Sequence, residues 1–296
     1  MLHSITLVGY AARPLTSNDV DQAVSLLAKA RLPINGREEL SPNEAHDIFM
    51  EGDAEAAKEC LAGWALEQKL DLFIQPYQGR RKKALLADME STIIKQEMLD
   101  ELAERAGVGE KVKEITRRSM NGEVDFKEAL IERLALLKGV NAGVVQELVA
   151  KIIYMPGAKE LVGTLRRFGV RTVLVSGGFT VFTAPVAKRL GFDEHYGNIL
   201  GIHAGVFTGL PIDPILTRET KLAKLKELGR QVKGTEQDVC AVGDGANDLL
   251  MIMAAGMGVA YHGKPVVAEK APFAIRFADL RAVLFAMGYR KAEIGS

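Results

Sequence analysis

The stretch Ala84-Leu85-Leu86-Ala87-Asp88-Met89-Glu90-Ser91-Thr92-Ile93-Ile94 decides the fold. Its four small or apolar leading residues read as a short buried strand. Asp88 ends the strand, and a second carboxylate, Glu90, follows two residues later. Open α/β sheets bind ligands beyond the carboxyl ends of their strands, so an aspartate there is aimed at a crevice. The competing reading makes Asp88 the cap of a helix that follows at once.

Downstream, the pattern over 95–155 is purely helical, with expected helices at 96–106, 109–120, 125–138 and 142–153. Alternation of helix and strand then resumes. Helices are expected at 157–168, 180–190, 218–228 and 247–255. Strands are expected at 170–175, 238–242 and 257–260, with a glycine-rich hairpin over 196–208. This predicts an α/β fold, a Rossmann-like parallel sheet with a helical insertion directly after its first strand. Placed there, the insertion sits over the strand ends as a lid.

Upstream, residues 1–80 read as a separate small α+β unit. Strands are expected at 4–9, 45–51 and 72–75, helices at 18–30 and 54–68, and a Pro/Gly/Asn-rich turn at 32–37. The unit shows no nucleophile or ligand cluster, so regulation or oligomer contact, a homodimer formed through it, is its expected role. The basic run Gly79-Arg80-Arg81-Lys82-Lys83 marks the boundary. With no aromatic residue interleaved, it reads as a solvated linker.

Three later segments bring chemistry to the strand ends. The strand at 170–175 runs into Ser176-Gly177-Gly178-Phe179-Thr180, where glycines and a helix start can receive an anion. The strand at 238–242 runs into Gly243-Asp244-Gly245-Ala246-Asn247-Asp248, whose hard oxygen donors suit Mg²⁺. Lys221, in the helix before that strand, becomes meaningful in this company. An aspartate attacking a phosphate dianion needs cations to offset the repulsion, and Mg²⁺ with one lysine supplies them. In the insertion, Phe126, Leu130, Arg133 and Leu137 share a helical face. A guanidinium on such a face either snorkels to water or grips a carboxylate in a fork, while Glu97 could pair with an ammonium.

Composition narrows the function class. The 296 residues carry 38 Lys+Arg against 38 Asp+Glu, so no broad field draws the protein to nucleic acid or an anionic membrane. No apolar run approaches a membrane span, and the N-terminus lacks the basic flank and apolar core of a signal peptide. The two cysteines, Cys60 and Cys240, have no metal spacing and read as reduced core residues of a cytoplasmic protein.

Asp88-x-Glu90-Ser91-Thr92, Ser176-Gly177-Gly178, the isolated Lys221 and Gly243-Asp244-Gly245-x-Asn247-Asp248, in this order, resemble the haloacid dehalogenase superfamily of phosphatases. Within it the chain looks like the phosphoserine phosphatase family, through Glu97, Met120, Gly122, Phe126 and Arg133 in the cap and through Tyr196-x-Asn198 to Thr208-Gly209. The resemblance implies a phosphatase domain over 81–296 with a helical cap at about 96–155. It implies Asp88 as nucleophile and Glu90 as general acid and base. Mg²⁺ would be held by Asp88, Asp244 and the backbone carbonyl at position 90. Ser176, Gly177, Gly178 and Lys221 would hold phosphate, with Asn247 facing the substrate and Asp248 supporting the metal's waters or Lys221. Glu97, Met120, Phe126 and Arg133 would recognise a small phosphorylated amino acid. The implied reaction is Mg²⁺-dependent hydrolysis of O-phosphoserine through an aspartyl phosphate, the last step of serine biosynthesis.

Three qualifications come with it. The family usually has Asp, not Glu, two residues after the nucleophile. A phosphotransferase passing the group to an alcohol such as homoserine would use the same residues, and so would a non-catalytic amino-acid-binding regulator disabled by Glu90. The first unit resembles, more loosely, the ACT-like modules that precede some phosphoserine phosphatases.

Overall fold

The structure, a computed structural model, describes residues 1–120 and 123–295, with the backbone alone at Met120. The first unit runs β1 (Leu2–Val8), α1 (Ser17–Lys29), β2 (Ile34–Ser41), β3 (Ala45–Glu51), α2 (Ala54–Glu67) and β4 (Asp71–Pro76). Its sheet has the order β2-β3-β1-β4 and is antiparallel throughout, consistent with the ACT-like expectation. On one face Ile5, Leu7, Ile48 and Met50 pack on Leu27 and Leu61 of the two helices. The expected turn at 32–37 is instead the start of β2. That strand lies at the sheet edge and alternates exposed with half-buried positions, so it never shows the apolar period of a strand with a buried face.

The second unit follows with β5 (Ala84–Asp88), α3 (Met98–Arg105), α4 (Gly109–Met120), α5 (Phe126–Ala135), α6 (Val144–Val149), α7 (Ala158–Arg167), β6 (Arg171–Phe179), α8 (Thr180–Leu190), β7 (Glu194–His203) and β8 (Val206–Ile212). It ends with α9 (Arg218–Gln231), β9 (Val239–Gly243), α10 (Leu249–Ala254), β10 (Met257–Tyr261), α11 (Pro265–Lys270), β11 (Phe273–Ile275) and α12 (Arg281–Ala286). The sheet order is β11-β10-β9-β5-β6-β7-β8. Every pairing is parallel except the β7–β8 hairpin. β5 is central and wholly buried. Leu85 and Ala87 face one core layer, Ala84 and Leu86 the other, the two-residue period of a strand covered on both sides. Beyond residue 260 the structure adds α11, β11 and α12 to the expected elements. β11 has three residues and pairs only with β10, too little for a pattern.

Helices α3 to α6 form the insertion after β5, closed at its neck by backbone bonds from Lys95 N to Ile153 O (2.8 Å) and from Met155 N to Ile93 O (2.9 Å). Asp88 caps no helix, since 89–97 are turns and isolated bridges until α3 begins at Met98.

The other face of the first sheet packs on α12. Gln75 donates to Ala286 O at 2.7 Å, and the Asp71 carboxylate accepts backbone N–H bonds from Arg276, Phe277 and Ala278. The basic run is not wholly solvated. Arg80 is 8% exposed and pairs at 2.6 Å with fully buried Asp47, which also accepts from Thr6 Oγ1. The acid that fixes it comes from β3, invisible from the run itself. Because removing one partner strands a buried charge, Arg80→Ala is expected to lower stability by about 3–5 kcal/mol. Denaturant unfolding checks this, and an unchanged midpoint would mean that the pair carries no stability.

Candidate active site

The expected residues come from separate parts of the chain and meet over the carboxyl ends of β5, β6 and β9. Asp88 ends β5 and is 4% exposed. Its Oδ1 accepts from Lys221 Nζ at 2.6 Å. Lys221, in the first turn of α9 and 1% exposed, donates equally to Asp248 Oδ1 at 2.6 Å. Asp248 stands at the N-cap of α10 but makes no side-chain cap bond there. Its Oδ2 accepts from Gly245 N at 3.1 Å instead. The carboxylates of Asp88, Asp244 and Asp248 each offer an oxygen, all within 4.8 Å of one another.

This crowding sets the proton affinities. Burial, reinforced by Asp248, raises the Asp88 carboxyl well above the ordinary carboxylate range despite Lys221. Burial and Asp248 likewise push Asp244 up to about 6. Burial alone would depress Lys221, yet Asp248 and Asp88 hold its ammonium above its usual value. Three carboxylates face one ammonium, a deficit of two positive charges. The donors are hard oxygens on two strand ends and a helix start, a set suited to a divalent cation such as Mg²⁺. The Glu90 carboxylate is not among them.

Glu90 turns instead toward the cap and the bulged stretch 176–178 within β6 (the β6 loop). Its Oε1 accepts from Met98 N at 2.8 Å, and Ser176 Oγ lies 3.3 Å from its Oε2. Ser176 Oγ in turn accepts from Gly178 N at 2.9 Å. A Cβ on Gly178 would come within 2.7 Å of Glu90 Oε2, so this glycine makes room for the longer acid. Burial, with Glu97 next, pushes Glu90 up to about 7.

The cleft of about 410 Å³ is lined by Asp88, Glu90, Gly177, Gly178, Asp244 and Asn247 from the core side. Glu97, Phe126, Leu130 and Arg133 line it from the cap. Arg133 donates Nε to Ala129 O at 3.1 Å and Nη1 to Thr116 Oγ1 at 3.4 Å. The charges of Asp100, Glu90 and Glu97 act on it, but among the described residues it makes no direct ion pair with a carboxylate. Glu97 accepts from Ser91 Oγ at 2.7 Å. Phe126 reaches over the β6 loop, its Cζ 4.0 Å from where a Gly177 Cβ would stand. Ser176 is fully buried behind the cleft wall. Gly122 and the Met120 side chain lie outside the described residues.

Sequence reasoning missed Thr116, Asp100 and Lys264, all of which line the cleft. Asp100 is one helical turn past Glu97, on the same face. Lys264 follows the end of β10 and bonds its own N–H to Asp244 O at 3.2 Å. The strand-end rule, carried to one more strand, finds it.

The description of haloacid dehalogenase-like hydrolases matches residues 85–253. The chain belongs to this family. Among haloacid dehalogenase-like hydrolases it is 42% identical to a phosphoserine phosphatase of Streptococcus thermophilus, over 69% of this chain and 94% of that one. It is 41% identical to one of Archaeoglobus fulgidus, over 74% of this chain and 64% of the relative, so it spans less than two thirds of that protein's length. Among solved structures, an unliganded probable phosphoserine phosphatase from Vibrio cholerae superposes with TM-score 0.78 at 30% identity, covering 98% of this chain and 88% of that one. A substrate-bound phosphoserine phosphatase complex gives 0.64 at 35% identity, over 69% and 97%.

A carboxyl whose folded value is raised binds protons more readily in the native than in the unfolded state, so stability falls as pH rises between the two values. For Glu90 that window runs from 4.5 to about 7. In cation-free protein, Glu90→Gln should therefore gain stability relative to the parent as pH rises through this window. Unfolding curves at several pH values test it, and parallel curves would show that Glu90 is not held in this way.

Proposed function

We propose that the chain is a phosphatase that hydrolyses the phosphate monoester of a small amino acid, O-phosphoserine, through a phosphorylated Asp88. The observation that carries this reading is the Asp88–Lys221–Asp248 cluster beneath a cleft whose opposite wall holds a guanidinium and a carboxylate. The names of the relatives point the same way.

In this reading Asp88 Oδ attacks phosphorus, the P–O bond to the serine oxygen breaks, and the phosphoryl group passes to the carboxylate. Lys221 stays paired beside the attacking oxygen and offsets charge on the phosphoryl oxygens. The Gly177 and Gly178 loop supports the same group, and Asn247 faces it from the rim. Glu90, held near neutrality in proton affinity, gives its proton to the departing alkoxide and then takes one from the water that hydrolyses the acyl phosphate. Asp88 and Asp244, with Asp248 and the backbone carbonyl of Glu90, are the groups that would hold Mg²⁺. Bound there, the ion would neutralise charge shared by carboxylate and phosphate. Arg133 takes the substrate carboxylate and Glu97 the ammonium. Phe126 and the cap exclude water.

Glu in place of the usual Asp fits this scheme. Its extra length is taken up by the bond to Met98 N at the start of the cap and by the open space over Gly178. In the parent, free phosphate should appear from O-phosphoserine with no alcohol acceptor present and should depend on Mg²⁺. Arg133→Ala should lower kcat/KM for phosphoserine about 10- to 150-fold, the loss of one charge-assisted pair, while sparing an aryl phosphate. Steady-state rates on a panel of phosphorylated metabolites decide the matter. Equal losses on both substrates would make Arg133 structural and remove the amino acid from the reading.

A further inference from the structure

Strands β6 and β7 pair in register from Val173↔Glu194 to Val175↔Tyr196, and pairing resumes only at Phe179↔Asn198. Between these points Ser176, Gly177 and Gly178 stand opposite Gly197 alone. A bulge of three residues against one cannot be served by ladder hydrogen bonds. Asn198 serves it with its side chain. The residue is 1% exposed. Its Nδ2 donates to Gly177 O at 2.7 Å, and its Oδ1 accepts from Leu216 N at 2.7 Å. Gly197 lets the backbones approach, since a Cβ there would stand 3.1 Å from Gly178 O.

The carbonyl and N–H of a trans peptide point in opposite directions. Holding Gly177 O toward Asn198 therefore turns the Gly178 N–H the other way, onto Ser176 Oγ and the Glu90 side of the cleft. Leu216 immediately precedes Thr217, the N-cap of α9, which carries Lys221. One carboxamide thus ties the β6 loop to the approach of the lysine helix. Asparagine offers a donor and an acceptor from one planar group; aspartate lacks the donor and leucine both.

We propose that Asn198 is a positioning residue for the phosphate site: it fixes the Gly177–Gly178 peptide, whose two glycines line the cleft, with its N–H on Ser176 Oγ, and keeps that loop in step with the helix bearing Lys221. Without it the peptide is free to turn over, which breaks the Gly178–Ser176–Glu90 chain of hydrogen bonds and displaces the two glycines that line the cleft. This rests on reading the cleft as a phosphate site, not on which alcohol carries the phosphate.

The test compares Asn198→Ala and Asn198→Asp with the parent. Affinity for inorganic phosphate in the presence of Mg²⁺ is followed by phosphorus NMR, beside the thermal midpoint and the hydrolysis of an aryl phosphate. Both variants are expected to bind phosphate at least about tenfold more weakly while folding cooperatively, as loss of preorganised geometry does at an anion site. Asn198→Asp keeps the acceptor for Leu216 N. If it binds phosphate like the parent, Asn198 only tethers that segment and the proposal is wrong. A lowered midpoint with unchanged phosphate affinity of the folded protein overturns it equally. Asn198→Ser replaces either variant that does not fold, with the same tenfold loss expected. If the parent itself binds no phosphate, the reading of the cleft fails first and takes the proposal with it.

Discussion

One ammonium shared by two buried carboxylates is the constraint on which the site depends. Lys221 holds Asp88 and Asp248 at 2.6 Å each, and all three side chains are withdrawn from water. Taking such charges out of water costs several kcal/mol per ion, recovered only where geometry and further hydrogen bonds are good. Here the chain supplies them from three elements: the end of β5, the first turn of α9 and the start of α10. The cluster remains short of positive charge because Asp244 adds a third carboxylate. Burial, reinforced by that shortage, pushes Asp88 and Asp244 upward in proton affinity. The shortage also makes the cleft receptive to a divalent cation, without which a carboxylate would face a phosphate dianion nearly unaided.

Around that cluster, each further feature answers a local need. Glu90 is longer than the usual acid at its position, and Gly178 leaves the room it occupies. Its other oxygen is taken by the first amide of α3, so the acid touches both the core loop and the cap that closes over it. Arg133 lies in the field of the Asp100, Glu90 and Glu97 carboxylates and, among the described residues, makes no direct ion pair with them. The first unit is not a loose appendage. Asp71 and Gln75 bind its sheet to the segment around α12, and the Asp47–Arg80 pair binds it to the boundary run.

The sequence was most legible where two signals coincided. Ala84 to Ala87 had both the apolar run and a terminal carboxylate, and β5 appears with the expected bounds. The cap helices and β9 had clear periods and glycine boundaries. β2 was lost because an edge strand exposed on alternate positions looks like a turn, and β11 because three residues carry no period. Among site residues, Asp88, Glu90, Glu97, Phe126, Arg133, Gly177, Gly178, Asp244 and Asn247 meet at one cleft, with Lys221 and Asp248 beneath it. The partners of Lys221 could not be read from its helix, because Asp88 is 133 residues away. The pairing of Arg80 was hidden for the same reason. Long-range contacts decide which charges are buried, and no local pattern records them.

The most direct measurement is single-turnover reaction with an aryl phosphate, whose phenolate leaves without an acid, quenched on the millisecond scale, with the phosphorylated peptide located by mass spectrometry in the parent and in a variant slowed at Glu90. The account predicts an acyl phosphate on Asp88 that forms before free phosphate appears and accumulates when Glu90 is altered. Release of phosphate with no adduct on Asp88 in either protein would contradict it.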